Sequence, residues 1–259
     1  MNDAYARLDM TGKVITITGG ASGFGAETGE LLAARGASVV LADINGDGAQ
    51  AVADRINATG NGHRAVALKV DVANEADCKA MVDLAISTFG GLHGGFNNAG
   101  VDTGHFGAAD QPLENWQRSF AVNVTGIMLC MKYQAQHMLK HGGGSIVNVS
   151  STAGVAGFPE AVAYCSSKHA VVGLTRAASM DFATRGIRVN VVLPGSAETG
   201  IYFEAAKDPA MAEYMAKVHP MGRVGKPFEI AEMVAWLLSD ASTFATGGLF
   251  SVDGGFGVP

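Results

Sequence analysis

The stretch Val14-Ile15-Thr16-Ile17-Thr18-Gly19-Gly20-Ala21-Ser22-Gly23-Phe24-Gly25 decides the fold. Its first five residues are all β-branched, which suits a short strand buried on both faces. A glycine-rich turn follows. A helix is then predicted over about 26–35, closed by Gly36 as a C-terminal glycine. Residues 38–42 read as a second strand, ending at Asp43. Strand, turn, helix and strand make a βαβ unit. Outward from it the alternation continues. Helices are predicted over 49–58, 75–89, 113–141, 161–185 and 228–238, and strands over 65–70, 95–98, 145–149, 188–193 and 249–252. Seven strands separated by helices predict a doubly wound α/β fold, with a seven-stranded parallel sheet covered on both faces.

Composition agrees. Apolar residues are 48% of the 259 and charged residues 16%, which argues against disorder and supplies a sizeable core. No linker divides the chain, so 1–259 reads as a single domain. Net charge is −6 with no Lys/Arg run, so nucleic acid is not an expected partner. No apolar stretch approaches the ~20 residues that span a bilayer. Residues 1–8 are polar and mixed in charge, unlike a signal peptide. Cys78, Cys130 and Cys165 have no paired spacing and read as reduced thiols of a cytoplasmic protein. The stretch 199–222 is longer than an ordinary α/β connection and holds Ile201, Tyr202, Phe203, Met211, Tyr214, Met215 and Met221. Two readings stand for it: a helix pair packed on the body, or a substrate lid lined by adaptable methionine.

Several residue patterns carry chemistry. Gly19, Gly23 and Gly25 lie between a strand and a helix. There the lack of Cβ lets backbone approach a pyrophosphate, and the helix N-terminus offers unpaired N–H groups. Asp43, 18 residues after Gly25, can accept hydrogen bonds from an adenosine ribose diol and would repel a 2′-phosphate. No Arg or Lys lies within 42–48, and Ser22 precedes Gly23, which favours NAD over NADP. The run from Asp43 to Gly48, followed by Asp54, partly matches a calcium loop, but it follows a strand and lacks the closing Glu. Asn45-Gly46-Asp47-Gly48 is better read as a turn. His137 and His141 share a helix face, yet no third ligand is evident, so an interaction with the helix dipole is preferred and no metal is expected. No nucleophile elbow of the G-x-S-x-G type occurs. Tyr164 and Lys168, four apart, share one helix face, where an ammonium would lower the phenol pKa and make a proton-transfer pair.

Taken together the residues resemble the short-chain dehydrogenases/reductases. Thr18 to Gly25 resembles the TGxxxGxG turn of that family, and Asn97-Asn98-Ala99-Gly100 its NNAG motif. Tyr164 and Lys168 resemble the YxxxK pair, Ser151 the serine 13 residues before the tyrosine, and Asn123 the helix asparagine. Pro194-Gly195 with Thr199 resembles PGxxxT, and Asp253-Gly254-Gly255 the C-terminal VDGG. The similarity covers the whole chain with motifs in order.

The resemblance implies a Rossmann fold and a role for each matching residue. Tyr164 is the implied general acid/base. Lys168 lowers its pKa and holds the nicotinamide ribose. Ser151 stabilises charge on the substrate oxygen, though the neighbouring Ser150 is easily mistaken for it. Asn123 holds a water of a proton relay. The cofactor lies against Gly19, Ser22, Gly23, Phe24, Gly25, Asp43, Asp71, Val72, Asn98, Ala99, Gly100, Pro194, Gly195 and Thr199, together with Tyr164 and Lys168. Glu198 departs from the pattern, since PGxxxT usually has an apolar residue there; it reaches towards the ligands or points to water. Phe106, Phe158, Tyr202 and Met215 would make an apolar substrate pocket, which hints at a bulky or cyclic secondary alcohol. The expected function is NAD-dependent interconversion of a secondary alcohol and a ketone, in a homotetramer. The alternatives are an NADPH-dependent ketoreductase, including a 3-oxoacyl type, and a non-enzymatic dinucleotide-binding protein.

Overall fold

The computed structural model describes residues 6–60, 62 and 64–258. Met1 to Tyr5 and the side chain of Ile201, both drawn on above, lie outside the described parts. One sheet holds seven strands: β1 (Val14–Thr18), β2 (Ser38–Asp43), β3 (Ala65–Lys69), β4 (Gly94–Asn97), β5 (Gly144–Val149), β6 (Ile187–Pro194) and β7 (Leu249–Val252). Their order is β3-β2-β1-β4-β5-β6-β7, and every neighbouring pair is parallel. The order reverses between β1 and β4, which opens a crevice at the C-terminal ends of the strands, where such sheets bind ligands.

Helices cover both faces. They are α1 (Gly23–Ala34), α2 (Gly46–Ala58), α3 (Glu75–Phe89), α4 (Leu113–Phe120), α5 (Ile127–Met138), α6 (Val162–Phe182), α7 (Gly200–Ala205), α8 (Pro209–Lys217) and α9 (Pro227–Leu238). Strand alternation assigns the side chains. Ile15, Ile17, Val39 and Leu41 join a core with α1, α2 and α9, whereas Val14, Val40 and Ala42 join a core with α3, α5 and α6. Both faces are therefore apolar, which is why these strands read as continuous hydrophobic runs. No helix among the described residues is long and apolar enough to cross a membrane.

A buried polar ladder runs beneath the crevice. Gln134 Nε2 donates to Thr16 Oγ1 (3.0 Å) and to Asn97 Oδ1 (2.9 Å). Asn97 Nδ2 donates to Gln134 Oε1 (3.1 Å) and Asn148 Oδ1 (2.9 Å), and Asn148 Nδ2 donates to Thr175 Oγ1 (2.9 Å). All five residues are 0% exposed. Full pairing is what makes such burial tolerable.

Several elements differ from the sequence reading by a residue or more at their ends, and four differences bear on the site. The first helix starts at Gly23, not near 26, so part of the glycine turn is its first turn. Asn45 to Gly48 is a helix start instead of a free turn, because the Asn45 side chain caps the N–H of Gly48 at 3.1 Å. Strand β4 ends at Asn97, one residue early, because the side chain of Asn98 turns to the glycine loop. The long helix over 113–138 carries a π-helical segment, Ala121–Gly126, with Asn123 inside it. The stretch 199–222 does contain a helix pair. Phe203 (57%) and Tyr214 (60%) remain exposed there, so it is not seated like a core helix pair.

Candidate active site

Strand ends deliver the site. The turn after β1 brings its glycines to the N-terminus of α1. A Cβ on Gly25 would lie 2.0 Å from the Gly19 carbonyl oxygen, and one on Gly19 would lie 2.6 Å from Asn98 Nδ2. Only glycine fits either place. Ser22 is the N-cap residue, yet its side chain makes no capping bond, which leaves the first N–H groups of α1 for an anion. Asn98 braces this turn: its Nδ2 donates to the carbonyls of Thr18 (3.0 Å) and Gly19 (3.3 Å). The Thr18 hydroxyl accepts from the N–H groups of Asn98 and Ala99.

Other expected cofactor residues fall around that cradle in different ways. Asp43 sits at the end of β2, where its carboxylate accepts from the N–H groups of Ala21 (3.0 Å) and Asn45 (2.9 Å). The Phe24 side chain packs on the hydrophobic core, so only its backbone faces the turn. Asp71 is exposed and spends one oxygen on the N–H of Ala73 (2.9 Å). Val72 is buried against position 126, where a Cβ would stand 2.7 Å from its Cγ2. Pro194 ends β6, and Thr199 lies against Gly23, 3.4 Å from where its Cβ would stand. A cavity of about 280 Å³ lies here, lined by Ser22, Gly23, Glu198, Thr199 and Phe203 among others. Glu198 thus borders the cavity while remaining exposed. The residues present fit a dinucleotide: a cradle closed to any Cβ, free helix N–H groups and a strand-end carboxylate.

The reactive side chains meet at the start of α6. Ser151 lies near enough to Tyr164 to work against the rise in its phenol pKa, and its Oγ accepts from the N–H of Ala153 (3.1 Å). Ser150 is different: it is buried and donates to the Lys168 carbonyl at 2.8 Å, so the two serines are not interchangeable. Lys168 Nζ donates to the Val149 carbonyl (3.2 Å) and lies 5.5 Å from the centre of the Tyr164 ring. A Cβ on Gly100 would be 3.3 Å from Asn123 Oδ1 and 3.4 Å from Lys168 Nζ, so these three converge. Asn123 is fully buried and clamps Val101 at both ends: Oδ1 accepts from its N–H (2.8 Å) and Nδ2 donates to its carbonyl (2.9 Å).

Burial governs the two ionisable groups. It pushes the Tyr164 phenol up to about 12, against the opposing effect of Ser151, and Asp102 adds to the rise. It pulls the Lys168 ammonium down to about 8. The expectation that Lys168 lowers the Tyr164 pKa is therefore corrected. Desolvation disfavours the charged form of each group, yet at neutral pH Lys168 still carries its proton while Tyr164 is the neutral phenol.

The apolar candidates divide into two pairs. Phe158 and Tyr164 both pack against Ala153, Ala161 and Cys165. The Phe106 N–H donates to the Glu160 carbonyl (2.7 Å), which ties its loop to the start of α6. Glu160 takes a left-handed conformation there (φ 57°), uncommon for a residue with a side chain. Tyr202 meets Phe203 edge-on, and Met215 gives its carbonyl to His219. The sequence reading missed His219 and Phe256, which lie far downstream of Phe158 and carry no spacing signal. The His137 and His141 rings stack at 4.0 Å, and burial lowers the His137 pKa instead of the dipole raising it. Among the described residues no group of three or more His, Cys, Asp or Glu is placed to hold a metal.

A family model described as enoyl-(acyl carrier protein) reductase matches residues 19–257. A solved short-chain type dehydrogenase/reductase from Mycobacterium marinum is 34% identical with a TM-score of 0.91, covering 99% of this chain and 100% of that one. The chain belongs to the short-chain dehydrogenase/reductase family. The 2,5-dichloro-2,5-cyclohexadiene-1,4-diol dehydrogenase of Sphingobium indicum is 45% identical, covering 96% of this chain and 98% of its relative. The cyclohexanol dehydrogenase of an Acinetobacter species is 43% identical and covers 94% of each chain. Membership of the short-chain dehydrogenases/reductases implies a nicotinamide dinucleotide cofactor, which the glycine cradle fits.

Proposed function

We propose that the chain oxidises cyclic secondary alcohols to ketones with NAD, or runs the reverse reaction. The observation that carries this is the meeting of Ser151, Tyr164 and Lys168 at the start of α6, with Lys168 Nζ 5.5 Å from the centre of the Tyr164 ring, beside the glycine cradle. Ser151 would hold the carbinol oxygen, and Tyr164 Oη would take its proton. The nicotinamide, when bound, accepts the carbinol hydride. Lys168 would hold the ribose, and its ammonium is within reach to favour the phenolate once the site is filled. Asn123 fixes Val101 and supports the wall opposite Lys168. Phe106 and Phe158 supply apolar surface suited to a ring, in keeping with two relatives named for cyclic alcohols. Asp43 supports NAD, since a second phosphate would meet a carboxylate with no Lys or Arg within 42–48.

Two measurements test the reading. Tyr164→Phe should abolish turnover of cyclohexanol while leaving NADH binding, read by fluorescence, within about threefold; surviving turnover would overturn the assignment. Parallel titrations with NADH and NADPH decide the cofactor, and tighter NADPH binding would reverse the reading of Asp43. The 199–222 stretch serves as the lid in this scheme. A homotetramer is supported by the exposed face of α6, where Gly173, Ala177 and Met180 lie open to a second copy. Sedimentation of Gly173→Arg should then show smaller species. The free cysteines support a reducing compartment, the cytoplasm.

A further inference from the structure

The C-terminal segment returns to the site. The Asp253 carboxylate accepts from the N–H groups of Gly255 and Gly257, at 3.0 Å each, and the resulting turn presents Phe256. A Cβ on Gly257 would stand 3.6 Å from Thr152 Cγ2, so the turn lies against the residue after Ser151. The Phe256 ring stacks on Phe158 at 5.4 Å with only 20° between planes. Phe158 in turn packs on Ala153, Ala161 and Cys165, the same cluster that Tyr164 packs on. On its other side Phe256 meets the His219 ring at 4.9 Å.

His219 is 1% exposed and engaged at both nitrogens. Nε2 accepts from the Ser196 N–H (3.1 Å), and Nδ1 donates to the Met215 carbonyl (2.6 Å). The imidazole thus pins the end of α8 to the chain leaving β6 and offers a flat face to Phe256. A row of rings, Phe158, Phe256 and His219, runs to the root of the helix pair from the small cluster on which Tyr164 also packs.

We propose that Phe256 is a specificity-determining residue, which backs Phe158 and so fixes the apolar wall against which the ring of a cyclic alcohol lies, with His219 as its positioning residue. The inference rests on the functional reading above. Without Phe256, Phe158 can tilt away from the cluster it shares with Tyr164, and a ring loses contact that a small acyclic alcohol never had. The loss should fall on binding, because the wall touches the ring alike before and during hydride transfer.

The experiment compares wild type, Phe256→Ala and Phe256→Leu on cyclohexanol and 2-butanol, with NADH binding and melting temperature measured alongside. Phe256→Ala should raise KM for cyclohexanol roughly tenfold at near-constant kcat, about the discrimination that lost apolar contact gives. Phe256→Leu should raise it less. KM for 2-butanol and NADH binding should stay within about twofold. Equal losses on both alcohols, accompanied by a lower melting temperature, would show a merely structural residue and overturn the proposal. A wild type that prefers cyclohexanol and an alanine variant that keeps the preference would overturn the role of Phe256 alone. A wild type that turns over no cyclic alcohol with either dinucleotide would remove the functional reading, and this proposal with it.

Discussion

Burial acts in opposite directions on Tyr164 and Lys168, and the consequence is measurable without substrate. Lys168 has its pKa depressed to about 8, so its contribution to stability is present above the unfolded lysine value and is lost as pH falls towards 8. Tyr164 has its pKa raised to about 12, so its contribution is present below the unfolded tyrosine value and is lost as pH rises towards 12. Together they favour the fold most near pH 10, with a cost of about 3 kcal/mol from Lys168 at neutral pH. Lys168→Met should remove that cost, so urea unfolding at pH 7 should show a gain that vanishes by pH 10. Turnover follows the same chemistry with the opposite demand. Alcohol oxidation needs a deprotonated phenol, so the chemical step should quicken steadily from pH 7 to 10, and a flat profile would count against Tyr164 as base. The sequence placed both residues on one face but could not weigh their charges. Depth decides that balance, and depth depends on how Val149, Gly100 and Asn123 close over the lysine.

Among the elements, the helix over 113–138 departs most from its sequence. Nothing in its apolar period marks the π-helical turn at Ala121–Gly126. The widened turn lets Asn123 face Val101 and clamp both backbone groups, an arrangement often met at functional sites. Asn123→Ala would leave the Val101 N–H and carbonyl without their partner. A loss of about 2 kcal/mol in urea unfolding and a fall in kcat should follow together. The 199–222 pair makes a contrasting case. Asp208 caps α8 through the N–H of Ala210 at 2.9 Å. Asp208→Ala should speed amide exchange across Pro209–Lys217 without moving the global melting point, because exposed helices open locally. The sequence announced this pair by length and composition. Its boundaries were hidden, since Tyr202, Phe203 and Tyr214 are as apolar as core residues yet lie near the surface.

For the whole molecule, alternation of strand and helix was enough to predict a seven-stranded parallel sheet, because each strand is buried on both faces and shows it in β-branched residues. The glycine turn, Asp43 and the Tyr164 pair were legible for a related reason: strand ends and helix faces carry fixed spacings. The polar ladder was not, since Thr16, Asn97, Gln134, Asn148 and Thr175 have no sequence relation until the sheet assembles. Gln134→Leu should cost roughly 3 kcal/mol by stranding Thr16 and Asn97, with little change in the cradle itself.

That ladder also sets height. Asn97 and Asn148 are direct partners across β4 and β5. A slip of one residue would send them to opposite faces and bury both amides unpaired, so only one alignment of the two strands is admissible. Asn98 to Gly100 follow the first strand and Ser151 the second. Whatever locks the strands therefore levels those two loops against each other, and the amides act as a gauge that brings the cradle and the serine to the same plane before any ligand arrives.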